Sequence, residues 1–136
     1  MRTIGISSTK EDCLRSIYYL EQIHGRRAKL SEVAKYLKLS RSTVSEKLQD
    51  LAKQGYIEYS RYGAIALNKH GRAIAENLTS KHRIIETFLY MMLGRPITEL
   101  HDEAHKLEHA FSDESIDAMK RLLGNPKVDP HGKPIY

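Results

Sequence analysis

The chain of 136 residues has no tryptophan, two phenylalanines, four prolines and a single cysteine, Cys13. One cysteine excludes an internal disulfide and agrees with a reducing compartment. Proline and glycine are too few for a fibrous or disordered chain. No apolar run approaches the roughly 18 residues that cross a bilayer, and the N-terminus lacks a basic start followed by an apolar stretch. These absences predict a cytoplasmic globular protein.

Charge and histidine are unevenly distributed along the chain. Residues 1–76 carry 14 lysines and arginines against 8 acidic residues, a net +6, whereas residues 77–136 carry 8 against 9, a net −1. Five of the seven histidines lie in the second part. Because a basic surface suits a polyanion and clustered imidazoles suit a cation, the two parts are expected to bind different partners.

The first part of the chain predicts a winged helix-turn-helix. Capping serines and acidic first turns mark the first two helices, glycines end the first and the third, and a glycine-containing loop joins two short strands. The order helix, helix, turn, helix and two-stranded ribbon is that of a winged helix, whose third helix enters the major groove of DNA. The predicted elements are helices from Ser8 to Gly25, from Ser31 and over residues 41–54, and strands over residues 56–60 and 64–67.

Polar side chains on the third helix are candidates for DNA binding. This helix begins RSTVSEKLQDL, and its first turns expose groups that can reach base edges or phosphates. The alternative is that they form only the solvated face of an amphipathic helix. The candidate DNA-binding residues are Arg41, Ser42, Thr43, Ser45, Glu46 and Lys47 on the helix, Lys38 in the preceding turn, and Arg61 and Tyr62 at the tip of the wing.

The second part of the chain predicts three further helices and an extended tail. The helices are expected over residues 69–93 with Asn68 as N-cap, from Thr98 to about residue 110, and from Ser112 to about residue 124. The tail NPKVDPHGKPIY is rich in proline and glycine and is therefore predicted to be extended.

Four potential metal ligands lie within HDEAHKLEHAFSDE. His101, His105, Glu108 and His109 fall at positions i, i+4, i+7 and i+8, so one helix would present all four on one face. Protonated imidazoles at this spacing repel each other, whereas a divalent metal accepts neutral imidazole nitrogen and carboxylate oxygen together. The stripe therefore predicts metal binding.

A second pair of candidate ligands, His82 and Glu86, has the i, i+4 spacing on the preceding helix. Alone, this pair would be a surface contact contributing about 0.3 kcal/mol. Beside the histidine stripe it becomes a second source of ligands. The two helices together offer too many ligands for one ion, which favours two metal sites.

Several longer strings are specific enough to indicate a family. They are EDCLRSI at residues 11–17, STVSEKLQDLAKQGYIEY in the helix-turn-helix, KHRIIETFL at residues 81–89, HDEAHKLEHAFSDE at residues 101–114 and the terminal PHGKPI. With them the whole chain resembles the diphtheria toxin repressor and manganese transport regulator family of metal-dependent repressors. The resemblance implies a dimer that binds a palindromic operator when Fe²⁺ or Mn²⁺ occupies sites between the N-terminal helix and the second domain.

The resemblance also implies how the ligands divide. One site would use Asp12, His105, Glu108 and His109, and the other would use His82, Glu86 and His101. Iron-type members have methionine and cysteine at the positions of Asp12 and His105, and manganese-type members have aspartate and glutamate. The additional N-terminal glutamate of the manganese type falls at Arg15, which cannot ligate. The nitrogen and oxygen donors leave Mn²⁺, Fe²⁺, Co²⁺ and Zn²⁺ open, and the extra imidazole favours the later metals over Mn²⁺.

Asp12 belongs to the DNA-binding part, whereas the other implied ligands belong to the second part. We hypothesise that metal joining Asp12 to the second part sets the separation of the recognition helices of a dimer to half-sites about one helical turn apart. Apolar residues near the end of the fourth helix either face the partner subunit or form an intrachain core. These residues are Phe88, Leu89, Met91 and Met92.

Two rival functions differ in class. A metal-dependent hydrolase would need an open coordination position and a general base, but no H-E-x-x-H occurs, and hydrolysis would not explain the basic first part. A winged-helix regulator without metal control, with structural histidines, is the alternative. The expected architecture is mainly α, with a winged helix-turn-helix at residues 1–70 and a helical metal-binding and dimerisation domain at residues 71–136. The expected partners are double-stranded operator DNA and a second copy of the chain, with neither a membrane nor a small organic substrate.

Overall fold

The computed structural model describes residues 6–60 and 63–136. These residues are mainly α-helical, as predicted, and the chain divides inside one helix into two compact units, the first ending at Glu76 and the second extending from Asn77 to Tyr136. A short 3-10 helix, Ile97–Glu99, precedes the fifth α-helix. The elements are α1 Ser8–His24, α2 Leu30–Leu37, α3 Arg41–Lys53, β1 Ile57–Glu58, β2 Ala66–Leu67, α4 Lys69–Met91, α5 Leu100–Leu107 and α6 Asp113–Leu122.

The first unit is a winged helix-turn-helix, which confirms the predicted fold. Capping serines begin two of its helices, since the Ser7 hydroxyl accepts the N–H of Lys10 and the Ser40 hydroxyl accepts the N–H of Thr43. The strands β1 and β2 are antiparallel and are paired Ile57 with Leu67 and Glu58 with Ala66. The core contains these buried side chains, among others: Cys13, Leu14, Ile17, Val33, Val44, Leu48, Leu51 and Ile65. Cys13 therefore lies in the core.

The second helix begins one residue earlier than its serine suggested. Lys29 occupies the N-cap position of α2, and its N–H donates to the carboxylate of Glu32 at 2.9 Å. Arg26 binds the same carboxylate through both terminal nitrogens, at 3.1 and 2.7 Å. These bonds hold the pKa of Glu32 down at about 2, first through the Arg26 hydrogen bond. The carboxylate of Glu32 therefore orders this turn in place of the predicted Ser31 cap.

The start of α4 packs tightly against Gly55 and Tyr56, which follow α3 in the chain. Asn68 caps the helix, as predicted, by accepting the N–H of Gly71 at 2.9 Å, and its own amide donates to the carbonyl of Gly55. Its main-chain N–H donates to the carbonyl of Tyr56 at 3.1 Å. A Cβ atom at Gly71 would overlap that Tyr56 carbonyl oxygen. Glycine is therefore required here by a close backbone approach rather than by its φ angle.

Gly71→Ala should lower the free energy of unfolding by about 1–3 kcal/mol, because the added methyl group must displace backbone rather than a flexible side chain. Helix propensity alone predicts the opposite sign, a gain of about 0.5–1 kcal/mol. Urea unfolding followed by circular dichroism distinguishes the two. His70→Ala, at an exposed neighbour in the same turn, is the control and should change little. A Gly71→Ala protein as stable as the parent would contradict the packing described.

The second unit is helical around its own core. Ile84, Ile85, Leu89, Leu100, Ala104, Ile116, Met119 and Ile135 form that core. The tail is not simply extended as predicted: Val128 pairs with Pro134 in an antiparallel bridge, so the chain folds back. Within the described ranges, no helix is long and apolar enough to cross a membrane.

Candidate DNA-binding and metal-binding sites

The exposed face of α3 carries polar side chains suited to reading DNA. Val44 and Leu48 are fully buried, and Ser42 and Glu46 are exposed on the other side of the helix. Gln49, three residues after Glu46, is exposed as well. It was not among the predicted DNA-binding residues, although the i+3 spacing from Glu46 indicates it and its amide group matches an adenine edge.

The basic candidates are distributed over the turn and the start of α3. Arg41 is the first residue of α3 and is exposed. Lys38 is exposed and ends α2 in a left-handed conformation, with φ 58°. The predicted wing-tip residues Arg61 and Tyr62 lie outside the described residues. The described structure therefore places two of the predicted cationic groups at or before the N-terminal end of α3.

The two remaining hydroxyl candidates are half-buried and have partners within the protein. Thr43 Oγ1 accepts from the hydroxyl of Ser40 at 2.8 Å. Ser45 Oγ accepts from the amide of Gln49 at 3.3 Å. These hydrogen bonds orient the side chains on α3.

Lys47 is half-buried on α3. Burial, followed by the charge of Asp12, raises the pKa of Cys13 to about 12, and the nearby ammonium of Lys47 acts in the opposite direction. The thiol therefore stays protonated near neutral pH. Asp12 itself is half-buried on α1, and its role as a metal ligand stays a prediction.

The first group of predicted ligands converges between α4 and α5. His82 and Glu86 are buried and His101 is exposed, and one ligand atom from each lies within 4.8 Å of the others. His82 Nε2 lies 3.5 Å from Glu86 Oε1, and the rings of His82 and His101 have centroids 4.9 Å apart. The i, i+4 pair of α4 and one residue of α5 thus form a compact set of two imidazoles and one carboxylate.

The second group lies across the end of α5. The helix ends at Leu107, so Glu108 occupies the C-cap position and His109 lies in the turn beyond it. Glu108 Oε1 is 3.4 Å from His105 Nδ1, and the ring centroids of His105 and His109 are 5.8 Å apart. The predicted ligands therefore lie on α5 and on the turn that follows it, not on one helical face. His105, Glu108 and His109 nevertheless remain neighbours.

Glu108 connects the two groups, a contact that the sequence did not indicate. Its side chain is fully buried, and Oε1 accepts a hydrogen bond from His82 Nδ1 at 3.1 Å. The ring of His82 therefore presents Nδ1 to Glu108 and Nε2 to Glu86. An imidazole held by a carboxylate at one nitrogen is oriented to ligate metal through the other.

The electrostatics of Glu86 favour its ionised form. Burial is the largest influence and by itself would raise the pKa of this carboxyl group. The hydrogen bond and charge of His82, together with the charges of His131 and His101, lower the pKa by more than burial raises it. The net result is a pKa of Glu86 below its ordinary value. A carboxylate must be deprotonated to bind a metal ion, so this environment prepares Glu86 as a ligand.

A third set of ligands lies on the other side of Glu86. Asp129 and His131 of the tail approach it, and one ligand atom from each of the three lies within 4.8 Å of the others. The sequence did not indicate this set, because no helical or strand period relates residues in a turn to a residue on α4. The string DPHG, which places a carboxylate and an imidazole two residues apart, was the available signal.

The donor chemistry of these groups fits a divalent metal ion. Every candidate ligand described in the second unit is an imidazole nitrogen or a carboxylate oxygen, and the buried carboxylates Glu86 and Glu108 each face at least one histidine. Such sets suit Mn²⁺, Fe²⁺, Co²⁺ and Zn²⁺. A winged helix followed by a helical unit with this donor set defines the class of metal-dependent DNA-binding regulators.

Each of the two units matches a domain of a known protein family. Residues 5–65 match the family described as the iron dependent repressor, N-terminal DNA binding domain, and residues 68–136 match the iron dependent repressor, metal binding and dimerisation domain. The chain belongs to the iron-dependent repressor family. The members of this family are metal-dependent transcriptional regulators and not enzymes, as the sequence predicted.

Individual relatives support this assignment. The chain is 36% identical over 118 residues to an HTH-type transcriptional regulator of Methanocaldococcus jannaschii, covering 87% of this chain and 94% of that one. It is 33% identical over 127 residues to the iron-dependent repressor IdeR of Mycobacterium tuberculosis, covering 93% of this chain and 55% of IdeR. A solved manganese-dependent transcriptional repressor in complex with manganese superposes with a TM-score of 0.88 at 37% identity, covering 93% of this chain and 57% of that chain. The chain thus spans little more than half the length of the latter two proteins.

Proposed function

We propose that this protein is a cytoplasmic repressor that binds a palindromic operator as a homodimer when divalent metal is bound. Residues 1–70 would bind the DNA, and residues 71–136 would bind the metal and the second subunit, with no small organic substrate. The observation that carries the proposal is the convergence of imidazoles and carboxylates on Glu86 and Glu108 in a chain that begins with a winged helix.

The proposed metal ligands form two groups. Metal ions, when bound, supply the positive charge that holds the histidine and carboxylate side chains together. Glu108 orients the ring of His82, and the same ring faces Glu86. The first group therefore lies entirely within the second unit. Relatives named for iron and for manganese make Fe²⁺ and Mn²⁺ the first candidates, and the donor set also suits Zn²⁺ and Co²⁺. The proposed ligands are Asp12, His105, Glu108 and His109 in one site and His82, Glu86 and His101 in the other.

The proposed DNA interface is the exposed face and N-terminal end of α3. Its short hydroxyl and carboxylate side chains suit contacts with base edges, and its basic groups suit phosphates and guanines. The proposed interface residues are Lys38, Arg41, Ser42, Thr43, Ser45, Glu46 and Lys47. Arg61 and Tyr62 of the wing complete the proposed set.

The proposed dimer surface is the exposed apolar end of α4. Phe88 and Leu89 pack into the core of the second unit, whereas Met91 and Met92 are more than half exposed. Tyr90, Leu93 and Ile97 add to this exposed apolar area. An apolar area of this kind suits a second copy of the chain, since water is expelled from both surfaces on contact.

Operator binding measured against metal tests the proposed function. Fluorescence anisotropy with a duplex selected from a random library, at one fixed salt concentration, gives the affinity with Mn²⁺, Fe²⁺, Co²⁺, Zn²⁺ or a chelator. Coupling of metal to DNA binding is expected to raise the affinity about 5- to 150-fold. An affinity equal in chelator and in every metal would favour a winged-helix regulator without metal control.

Asp12→Ala should abolish the metal-dependent gain in operator affinity while leaving the affinity in chelator unchanged. Asp12 is the proposed ligand on α1, and metal favours the DNA-competent form only through contacts specific to that form. Anisotropy titrations with and without metal measure both affinities. Asp117→Ala removes the same charge from an exposed position on α6 and should keep the gain. An undiminished gain in Asp12→Ala would exclude this ligand.

A further inference from the structure

One stripe of α3 is exposed along the length of the helix. Ser42, Glu46, Gln49 and Lys53 follow one another at positions i, i+4, i+7 and i+11, and all four are exposed. The opposite side of the helix is anchored in the core of the first unit by three fully buried apolar residues. The fold therefore fixes the order and spacing in which these four side chains meet a partner.

Glu46 contributes the carboxylate of this stripe. On a helix surface a glutamate usually gains from a cation three or four residues away. The residues at those distances from Glu46 carry hydroxyl, amide or carboxylate groups; they are Ser42, Thr43, Gln49 and Asp50. Within the described residues, the side chain of Glu46 makes no hydrogen bond or ion pair. An ion pair along α3 therefore does not explain this carboxylate.

Asp50, one turn further along α3, is an acidic side chain with a structural partner. Its Oδ2 lies 3.7 Å from Nζ of Lys10 on α1, and the same Nζ donates to Gln54 Oε1 at 3.4 Å. Asp50 is half-buried, whereas Glu46 is exposed. The two carboxylates of α3 thus differ in use, since that of Asp50 connects two helices and that of Glu46 points away from them.

A carboxylate on this face weakens DNA binding unless the DNA offers it a hydrogen-bond donor. Residues 1–76 carry a net charge of +6, which attracts phosphates, and the charge of Glu46 opposes that attraction. Glu46 is the sixth residue of α3, so it lies beyond the first turn, where the helix dipole stabilises negative charge. A donor on the partner is the remaining interaction that would favour glutamate here.

The edges of the bases differ in the donors that they present in the major groove. Cytosine presents the N4 amino group, and adenine presents the N6 amino group next to the acceptor N7. Guanine and thymine present the acceptors O6, N7 and O4. An ionised carboxylate only accepts hydrogen bonds. It therefore matches the edge of cytosine and is repelled by the acceptors of the other three bases.

We propose that Glu46 is a specificity-determining residue that accepts a hydrogen bond from N4 of one cytosine in each half-site of the operator. This inference rests on the proposed function, since it takes α3 as the helix that enters the major groove. In a symmetric dimer the two copies of Glu46 require cytosine at two mirrored positions. Repulsion by the acceptors of other bases makes Glu46 reject wrong sequences as well as favour the right one.

Operator selection with a glutamine variant tests the inference. Duplexes selected from a random library, at one fixed salt concentration with Mn²⁺ or with chelator, give the preferred base at each position. The parent should enrich cytosine at two mirrored positions, and replacing one of these base pairs should weaken its binding roughly 5- to 150-fold. Glu46→Gln should lose that penalty and shift the preference toward adenine, which glutamine binds through N6 and N7. Preferences at the other positions should stay the same.

Glu58→Gln is the matched control for charge. Glu58 is exposed on β1, so this variant makes the same chemical change in the same unit without touching α3. Loss of one negative charge should change the affinity for all duplexes by a similar factor and leave the base preferences of the parent. Matching circular dichroism of both variants and the parent shows that the fold is retained.

Two results would overturn the inference. If Glu46→Gln raised the affinity for every duplex equally and kept the preferences of the parent, Glu46 would act only by repelling phosphates. If the parent enriched no cytosine at mirrored positions, Glu46 would not bind N4. Failure of the proposed function looks different. Enrichment of no sequence at all would refute sequence-specific binding, and with it this inference. Equal enrichment in Mn²⁺ and in chelator would refute metal control alone, and the comparison of Glu46→Gln with the parent would still decide the role of Glu46.

Discussion

Replacing Glu108 with glutamine should weaken metal binding in both proposed ligand groups, by roughly 10- to 100-fold in the group of His82. Glu108 is a proposed ligand beside His105, and it also holds Nδ1 of His82 at 3.1 Å. Glutamine keeps the shape and a hydrogen-bond acceptor for His82, so the metal-free fold should be retained. Glutamine removes the negative charge of Glu108, and it is this charge that fixes the ring of His82 and raises the basicity of that ring. Isothermal titration with Mn²⁺ or Co²⁺ measures the effect on each phase of binding.

Two further variants test whether the effect of Glu108→Gln on metal binding is specific to that position. Glu114→Gln makes the same chemical change at an exposed position in the first turn of α6 and should leave both phases unchanged. His109→Gln should weaken only the group that contains His105, since its ring is near that of His105. If Glu108→Gln weakened one phase alone, the bridging role of Glu108 would be wrong, even if the two ligand groups were right.

The order of helices and strands was predictable from local chemistry. Asn68 and Ser112 cap α4 and α6 where the sequence placed them, because an N-cap depends on a few neighbouring residues. Boundaries that depend on tertiary contacts were less predictable. The cap of α2 depends on Glu32 and on Arg26, which the chain brings together through a turn. The fold of the tail depends on Ile135 reaching a core built by other elements.

The candidate metal site was predictable wherever one helix sets the spacing. His82 with Glu86, and His101 with His105, follow from the i, i+4 period of an α-helix. Contacts between elements were not available from that period. The contact of Glu108 with His82 joins positions 26 residues apart in the chain, and the approach of His131 to Glu86 requires a turn whose path no period describes.

Replacing Arg41 with alanine should lower operator affinity by about 1–3 kcal/mol, or roughly 5- to 150-fold, at fixed salt and saturating metal. Arg41 is the exposed first residue of α3, and the N-terminal residues of a recognition helix contact base edges. Arg41→Lys keeps the charge but loses the planar fork that binds guanine through two hydrogen bonds. It should therefore keep the salt dependence of binding and still lose discrimination between the operator and single-base variants. Anisotropy titrations at several salt concentrations measure both quantities.

The matched control for Arg41 lies at the other end of the same helix. Lys53 is exposed in the last turn of α3, so Lys53→Ala removes one positive charge without touching the N-terminal end. Loss of net charge alone predicts similar, modest weakening in both variants, whereas a contact with a base predicts a large loss only in Arg41→Ala. Metal titrations of both variants should match the parent, since neither residue is a proposed ligand. Equal losses of affinity at the two ends would mean that the basic charge of the first unit attracts DNA but that the N-terminal end of α3 does not read its sequence.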